Sequence, residues 1–494
     1  MKINPSVFRE YDIRGVAGAD FTQQAISEYE KWYGVFPGVT ITLEAAKLIG
    51  QAYGTIIKRD GGQKVVVGKE IRPFADELTA AFIAGIRKTG CDVSDLGVAL
   101  TPIVYFMTAY GKFDGGANVT GSHNVYFFNG FKLMKKDVWP LFGEELQEMH
   151  AMIERGDLLS NPEGGYQKLD HTDTYKKYLL EHVKLQRKLR VVVDCGNGSA
   201  GVFAPGILRS LGAEVIELFS EPDAKFPNHV PDPEARQTLT VLMEKVKSEN
   251  ADFGVAFDAD GDRVGFVDEE GKFVDADLIH LILSKDVLSR FPGKKILYDV
   301  KCSGLFEELI PVYGGVPLMH RTGHAPIKET LRQDHDIILG GEVSGHFYFV
   351  EDYFRFDDGL FGAGRVMELF SKSDGLFSEL FKDIPLRVRT PEIKLPCLDE
   401  RKFPIIETIQ KSFGTRYPSV QIDGIRLQIS KTGWGLIRAS NTSPYLTIRV
   451  EGESDAEVMS IKNILADELE KFPEISEKLN RRAVATLTGK LGWL

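Results

Sequence analysis

The chain has 494 residues, enough for three or four domains of ordinary size, which excludes a small single-core module. Hydrophobic residues make up 43% and charged residues 27%, close to soluble globular averages, so several cores can be filled. Sixty Lys+Arg against 71 Asp+Glu leave a net charge of −11, which argues against a chain-wide nucleic-acid or anionic-membrane surface and still permits a local basic pocket for phosphate.

In chain order, the segment from Met1 to Asp12 lacks the apolar stretch of a secretory signal, and no uncharged apolar run is long enough to span a membrane. A cytoplasmic protein is expected. Cys91, Cys195, Cys302 and Cys397 lie far apart without a Cys-x-x-Cys pair, so neither a disulfide framework nor a cysteine zinc site is predicted.

Three stretches share one grammar of β-branched strand, glycine turn, amphipathic helix and second strand. The first strands are predicted at 64–69, 189–194 and 295–300, and the second strands open at Gly90, Gly212 and Gly314. Each unit ends in an apolar strand running into a polar, glycine-containing loop: Val119-Thr-Gly-Ser-His-Asn124, Phe257-Asp-Ala-Asp-Gly-Asp-Arg263 and Leu339-Gly-Gly-Glu-Val-Ser-Gly-His346. The economical reading is an α/β protein with three similar mixed α/β domains over residues 1–168, 169–271 and 272–385. From 386 to 494 the character changes. Alternating strands at 421–429 and 445–450 flank Arg438-Ala-Ser-Asn-Thr442, and a charged helix from Ala456 to Lys471 follows, predicting a smaller C-terminal α+β domain. No low-complexity linker separates the parts, so contact between domains is expected.

The loops carry the chemistry. Asp258, Asp260 and Asp262 alternate after an apolar strand, and three converging hard oxygens suit Mg²⁺ or Ca²⁺ better than Zn²⁺ or copper. An EF-hand is excluded because Arg263 stands where its sharp turn needs glycine. Like charges this close repel unless a cation offsets them. Thr120-Gly-Ser-His-Asn124 offers a hydroxyl beside a histidine, although taken alone it reads as an ordinary turn. Glu342, Ser344 and His346 alternate along one tight turn and suit a polyol. Arg438, Ser440, Asn441 and Thr442 offer a guanidinium, hydroxyls and an amide for a phosphate monoester. A serine loop, a carboxylate loop and an arginine loop are together the parts that phosphoryl transfer requires.

A competing fingerprint is Gly196-Asn-Gly-Ser-Ala-Gly201, a G-x-G-x-x-G after a strand, with Glu214 and Glu217 at about the dinucleotide-binding distance. It points to an oxidoreductase. Against it, Pro205 is expected to interrupt the helix this loop should open, and the other three loops would go unexplained. No Walker motif occurs.

In this order the loops resemble the α-D-phosphohexomutases, and among them the bacterial phosphomannomutase/phosphoglucomutase group. The matching pieces are Phe8-Arg-Glu-Tyr-Asp-Ile-Arg-Gly15, Thr120 to Asn124 with Asn129-Gly-Phe-Lys132, Asp258 to Arg263, Lys301-Cys-Ser303, Gly323-His324 with Lys328, Gly341 to His346 and Arg438 to Thr442, across nearly the whole chain. The resemblance implies four domains around a central cleft. It implies phosphate carried on Ser122, and Mg²⁺ bound by Asp258, Asp260, Asp262 and a phosphoserine oxygen. The implied reaction interconverts hexose 1-phosphates and 6-phosphates through a hexose 1,6-bisphosphate, with small-molecule hexose phosphates as the partners. No nucleic acid, membrane or obligate protein partner is implied.

On that reading Arg263 offsets charge on the transferring group, Arg14 holds it in line, and His123, Lys132 and His346 are the general acid/base candidates, unranked by sequence. Glu342 and Ser344 read sugar hydroxyls, while Arg438, Ser440, Asn441 and Thr442 hold the non-reacting phosphate. Tyr11, Lys301 and His324 match cleft-lining positions. Val343 favours glucose or mannose over glucosamine, leaving a phosphoglucosamine mutase as the alternative within the family. A dinucleotide-dependent oxidoreductase and a non-catalytic sugar-phosphate binder are the rivals outside it.

The chain also departs from the family pattern. Gly121 and Ala259 replace the Ala and Gly common at their positions, and Gly68-Lys-Glu-Ile-Arg72 differs from the usual pattern and receives no role. Between Gly15 and Thr42 an insertion carries Tyr29, Trp32, Tyr33 and Phe36, for which core packing is the expectation. The tail from Arg481 to Leu494 is extended and receives no account.

Overall fold

The structure, a computed structural model, describes residues 3–18, 21–23, 26–27, 29–30, 35–441, 443–473 and 475. Trp32, Tyr33, Thr442 and the tail from Arg481 lie outside the described residues.

Short apolar runs become strands buried on both faces, as a largely parallel sheet requires. Val65, Val66 and Val67 are fully buried in Lys64–Lys69, as are Val191, Val192 and Val193 in Arg190–Asp194, and Ile296 and Leu297 in Lys295–Asp299. Each of these strands lies between two parallel neighbours. Lys64–Lys69 sits between Asp92–Val98 and Gly115–Val119, Arg190–Asp194 between Glu214–Leu218 and Phe253–Phe257, and Lys295–Asp299 between Val316–His320 and Ile337–Gly341. In every case a fourth strand then pairs antiparallel with the third: Phe128–Lys135, Val264–Val267 and Phe347–Phe349. The repeated grammar of the sequence is therefore a repeated sheet order, second–first–third–fourth, and each polar loop is the turn between strands three and four. The first sheet adds Ile13–Val16, Trp139–Pro140 and Tyr166–Lys168.

The fourth unit is antiparallel throughout, built on Ile393–Pro396, Ile425–Gln428, Trp434–Ala439 and Tyr445–Gly452, with helices Asp399–Gly414 and Asp455–Leu469. Its hydrophobic core is its own. The first three units share one core that runs from Val66 and Leu100 through Val191 and Phe253 to Phe347 and Phe356. The helix Thr101–Tyr110, apolar nearly all round, is buried within it. In the insertion, Phe21, Tyr29 and Phe36 pack against Phe127 and Phe128, the strand end that follows the serine loop, in line with the core-packing expectation.

Pro205 does not interrupt its helix, contrary to the sequence expectation: Ala200–Ser210 is continuous with the proline inside it. One backbone hydrogen bond is lost, and the burial of Ala204, Pro205, Ile207 and Leu208 offsets that loss.

Candidate active site

Ser122 stands on the first strand-three-to-four turn in a left-handed conformation, φ 52°, and is buried. Its Oγ lies 3.3 Å from His123 Nδ1. Burial, with Arg263 and Arg14 nearby, holds the His123 imidazole well below its ordinary pKa, so it is neutral at pH 7. The loop is fixed from below by two residues that sequence reasoning left without a role. Arg72 donates to the carbonyls of Val125 at 2.7 Å, Phe128 at 3.1 Å and Ser122, and pairs with Glu70. Glu70 in turn accepts from the Gly121 amide at 2.9 Å. The readable signal was an ion pair spaced by one residue at the end of a buried strand. Gly121 now has a physical reason: a Cβ there would stand 2.5 Å from the Phe128 carbonyl oxygen.

Asp258, Asp260 and Asp262 are fully buried on the corresponding turn of the second unit, and their carboxylate oxygens gather within 4.8 Å. The two loops are tied together. Ser122 N donates to Thr120 Oγ1 at 2.8 Å, and Thr120 Oγ1 donates to Asp260 Oδ2 at 3.1 Å, as Thr101 Oγ1 does at 2.5 Å. A cation from the first unit also stands beside the carboxylates: Lys132 Nζ is 2.8 Å from Asp260 Oδ2 and also pairs with Asp262. Burial alone would lower the Lys132 pKa, but Asp260 and Asp262 hold it above its usual value. Burial together with the Asp262 and Asp260 charges pushes the Asp258 carboxyl well up. Among the described residues Asp260 Oδ1 and Asp262 Oδ1 have no hydrogen-bond partner, although His346 Nε2 stands 3.5 Å from the second. Orphaned hard oxygens in a buried anionic cluster fit a Mg²⁺ ion. Arg263 is held by Asp258, Nε to Oδ2 at 3.2 Å, and by Asp232 at 3.4 Å.

The second and third turns lie back to back, Val264 N donating to Gly345 O at 3.1 Å. On the third turn Glu342, Ser344 and His346 do converge: Ser344 Oγ is 2.8 Å from His346 Nδ1, and Glu342 Oε1 is 3.5 Å from the same nitrogen. Glu342 is buried and already accepts from Gly323 N at 2.8 Å and from Tyr348 OH at 2.6 Å. Val343 points into the core, so any bearing on sugar choice is indirect. His324 lies between Tyr11 and His346, with ring centroids 6.1 Å and 6.3 Å away, and burial, with Lys328 and Lys132, holds its pKa well down. Lys328 is buried between Tyr105 OH at 2.9 Å and Asp357 Oδ1 at 3.0 Å.

The fourth unit closes the set. Arg438 is held by Asp423 at 3.0 Å, and Ser440 is buried one strand end away. Asn441 Nδ2 donates to Tyr11 OH at 2.5 Å, and Tyr11 OH donates to the Thr322 carbonyl at 2.7 Å, joining the first, third and fourth units. Lys301 sits on Glu392 at 3.0 Å, and Arg14 pairs with Asp12.

The rival dinucleotide loop is committed to packing. Gly198 and Gly201 lie against backbone atoms of Ala259 and Ser220, where a Cβ would come within 2.8 Å and 2.1 Å, and Ser199 N donates to Ala259 O at 3.0 Å. Its glycines and amides support the aspartate turn, which leaves no cradle for a pyrophosphate.

Comparison with known proteins gives one answer over the chain. Phosphoglucomutase/phosphomannomutase alpha/beta/alpha domains I, II and III match residues 5–159, 171–271 and 275–388, and the C-terminal domain matches 392–468. A phosphomannomutase/phosphoglucomutase of Pseudomonas putida is 40% identical, covering 94% of this chain and 95% of its own length. A phosphoglucomutase of Neisseria gonorrhoeae is 34% identical over 96% and 98%. The crystal structure of a phosphoglucomutase/phosphomannomutase family protein from Burkholderia thailandensis superimposes with a TM-score of 0.85 at 34% identity, covering 95% of this chain and 98% of the other. With matches that run through all four units, the chain belongs to the α-D-phosphohexomutase family, in its phosphomannomutase/phosphoglucomutase branch.

Proposed function

We propose that the protein interconverts the 1-phosphates and 6-phosphates of glucose, mannose or both, with Ser122 as the phosphoryl carrier. The observation that carries this reading is the bridge through Thr120, which seats the Ser122 turn on the buried aspartate cluster. In the forward direction the sugar O6 attacks phosphoserine. The P–O bond to Ser122 breaks, a P–O6 bond forms, the O6 proton passes to a base and Ser122 Oγ takes up a proton, giving hexose 1,6-bisphosphate. Once the bisphosphate has turned over in the cleft, Ser122 gives up that proton and attacks the 1-phosphoryl group, the P–O1 bond breaks, O1 takes a proton, and hexose 6-phosphate leaves with the phosphoserine restored.

His123, neutral and beside Ser122 Oγ, suits removal of the serine proton in the return step. His346 suits the sugar hydroxyl, and Lys132, held as a cation, suits charge stabilisation. Arg14 and Arg263 would align the transferring group. Asp258, Asp260 and Asp262, with an oxygen on Ser122, would hold Mg²⁺, which when bound supplies charge neutralisation to the phosphoryl group. Arg438, Ser440, Asn441 and Thr442 would take the other phosphate, with Tyr11, Lys301 and His324 lining the cleft and Glu342 and Ser344 meeting sugar hydroxyls.

The test couples glucose 1-phosphate conversion to a glucose 6-phosphate dehydrogenase, with Mg²⁺ and a trace of glucose 1,6-bisphosphate. Turnover abolished by EDTA and restored by Mg²⁺, and lost in Ser122→Ala with substrate binding retained, is expected. Undiminished turnover in Ser122→Ala rejects the assignment.

A further inference from the structure

One face of the fourth sheet makes that unit's core, with Ile393, Leu395, Ile437 and Ile448 among its residues. Residues paired across antiparallel strands point to the same side, so the register Lys394–Thr447–Arg438 forms a row on the opposite face. That face is turned toward the third unit. Arg426 donates to the carbonyls of Val300 at 2.8 Å and Cys302 at 2.7 Å, and Leu436 packs with Val300. Within the row Arg438 and Thr447 are buried, whereas Lys394 is exposed. Thr447 Oγ1 donates to Glu392 Oε1 at 3.2 Å, and the other oxygen of Glu392 holds Lys301. Lys394 therefore ends the row at the cleft, two strands, or roughly 10 Å, from Arg438.

The cations already placed around the cleft are tied to carboxylates: Arg438 to Asp423, Arg263 to Asp258 and Asp232, and Lys301 to Glu392. Lys394 makes no ion pair or hydrogen bond among the described residues, and its ammonium rests 5.5 Å from the centre of the Tyr445 ring. Enclosure in the cleft alone would lower its pKa, but Tyr445 and the carboxylates of Glu392, Glu234 and Asp232 hold it above the usual value, so it is a cation at neutral pH. Together with burial, Arg263 and Arg14, its charge helps to hold the His123 pKa down, which places it in the field of the serine loop. A compact ammonium with three donors on a flexible stem binds phosphate as a point charge.

We propose that Lys394 is a further phosphate-binding residue, one that a hexose 1,6-bisphosphate engages and a hexose monophosphate does not. The inference rests on the reading above, in which the Arg438 loop takes the non-reacting phosphate and Ser122 meets the other. A monophosphate seated on the Arg438 loop offers Lys394 nothing more. A bisphosphate exchanging ends takes its phosphoryl groups off both sites, and an unpaired cation between the two retains it in the cleft until the return step.

Binding is read in Ser122→Ala chains, which cannot take up phosphate on that residue, by calorimetric titration with glucose 1,6-bisphosphate and with glucose 6-phosphate. Adding Lys394→Met is expected to weaken bisphosphate binding about tenfold, the worth of one charge-assisted hydrogen bond, and to leave glucose 6-phosphate within about twofold. Lys394→Arg is expected to keep the bisphosphate affinity, and an unchanged Tm in both variants guards against misfolding. Equal weakening of both ligands, or weakening of neither, overturns the proposal. With Ser122 intact, Lys394→Met is expected to need more added glucose 1,6-bisphosphate for half-maximal turnover. The coupled assay of the wild type separates the two readings. An active chain without the difference between ligands keeps the mutase reading and loses the Lys394 site, whereas an inactive chain that shows the difference keeps the site and loses the mutase reading.

Discussion

Replacing Lys132 with methionine separates two roles that one ammonium combines. The side chain is 4% exposed, and its Nζ neutralises Asp260 at 2.8 Å together with Asp262. Removing one partner of such a buried ion pair costs about 3–5 kcal/mol, because the carboxylates are left uncompensated. In EDTA the variant is therefore expected to unfold at a clearly lower temperature than the wild type. The effect on metal has the opposite sign. An ammonium about 4 Å from a neighbouring unit charge interacts by about 4 kcal/mol at an effective dielectric constant near 20, and any cation entering this cluster must work against it. Relief of a third of that repulsion, about 1.4 kcal/mol, tightens Mg²⁺ binding tenfold. Calorimetric titration with Mg²⁺ is expected to show the tighter binding, and the Mg²⁺-induced rise in Tm is expected to exceed that of the wild type. Turnover falls all the same, since the positioned positive charge is gone. Mg²⁺ affinity that is unchanged or weaker in Lys132→Met refutes the view that the lysine charge opposes the metal at this cluster.

Arg72→Lys keeps the charge but not the fork that reaches three carbonyls, so kcat is expected to fall at least tenfold with little change in KM, as steady-state kinetics would show. Gly121→Ala drives a Cβ to 2.5 Å from the Phe128 carbonyl and is expected to cost about 1–3 kcal/mol, read as a drop in Tm. His280 is fully buried against Phe306, neither ring nitrogen has a hydrogen-bond partner among the described residues, and burial pushes its pKa down to about 3. The unfolded chain binds that proton near pH 6.5, so stability is full above 6.5 and is lost as pH falls towards 3. At pH 4.5 the loss is roughly 3 kcal/mol, and denaturant titrations of His280→Leu are expected to lack that share of the acid sensitivity.

The fold was legible because its signal is local and repeated. Val65 to Val67 and Val191 to Val193 announce buried strands by composition, and the glycine openings at Gly90, Gly212 and Gly314 mark the second strand of each unit. Asp258, Asp260 and Asp262 were equally legible, since their alternation is itself the cluster. Contacts that cross between units were not. Thr101, 159 residues before Asp260, donates to it, and Lys132 reaches it over 128 residues. Nothing near Asp357 in sequence marks it as a neighbour of Asp262 and His346. Glu70 and Arg72 received no role because their partners on the serine loop are main-chain groups, the Gly121 amide for Glu70 and three carbonyls for Arg72, which leave no trace in residue type. Pro205 misled for a related reason. Local propensity counts the lost hydrogen bond, whereas the buried face that outweighs it is tertiary.

The shared position of the three turns explains how one repeated unit supplies three chemistries. In each sheet the turn between strands three and four starts at the carboxyl end of a parallel strand, beside the central first strand, where open α/β sheets place their ligands. Fusing the three cores fixes these ends relative to one another, so a side chain on one unit becomes part of the electrostatics of the next. Asp262 shows the consequence: burial opposes its charge, yet Lys132 from the first unit and His346 from the third hold its carboxyl well below the ordinary range. No single unit contains that balance. Each turn alone is an unremarkable loop, and the site exists only where a cation from one sheet, carboxylates from a second and an imidazole from a third are held within a few ångströms by a common core.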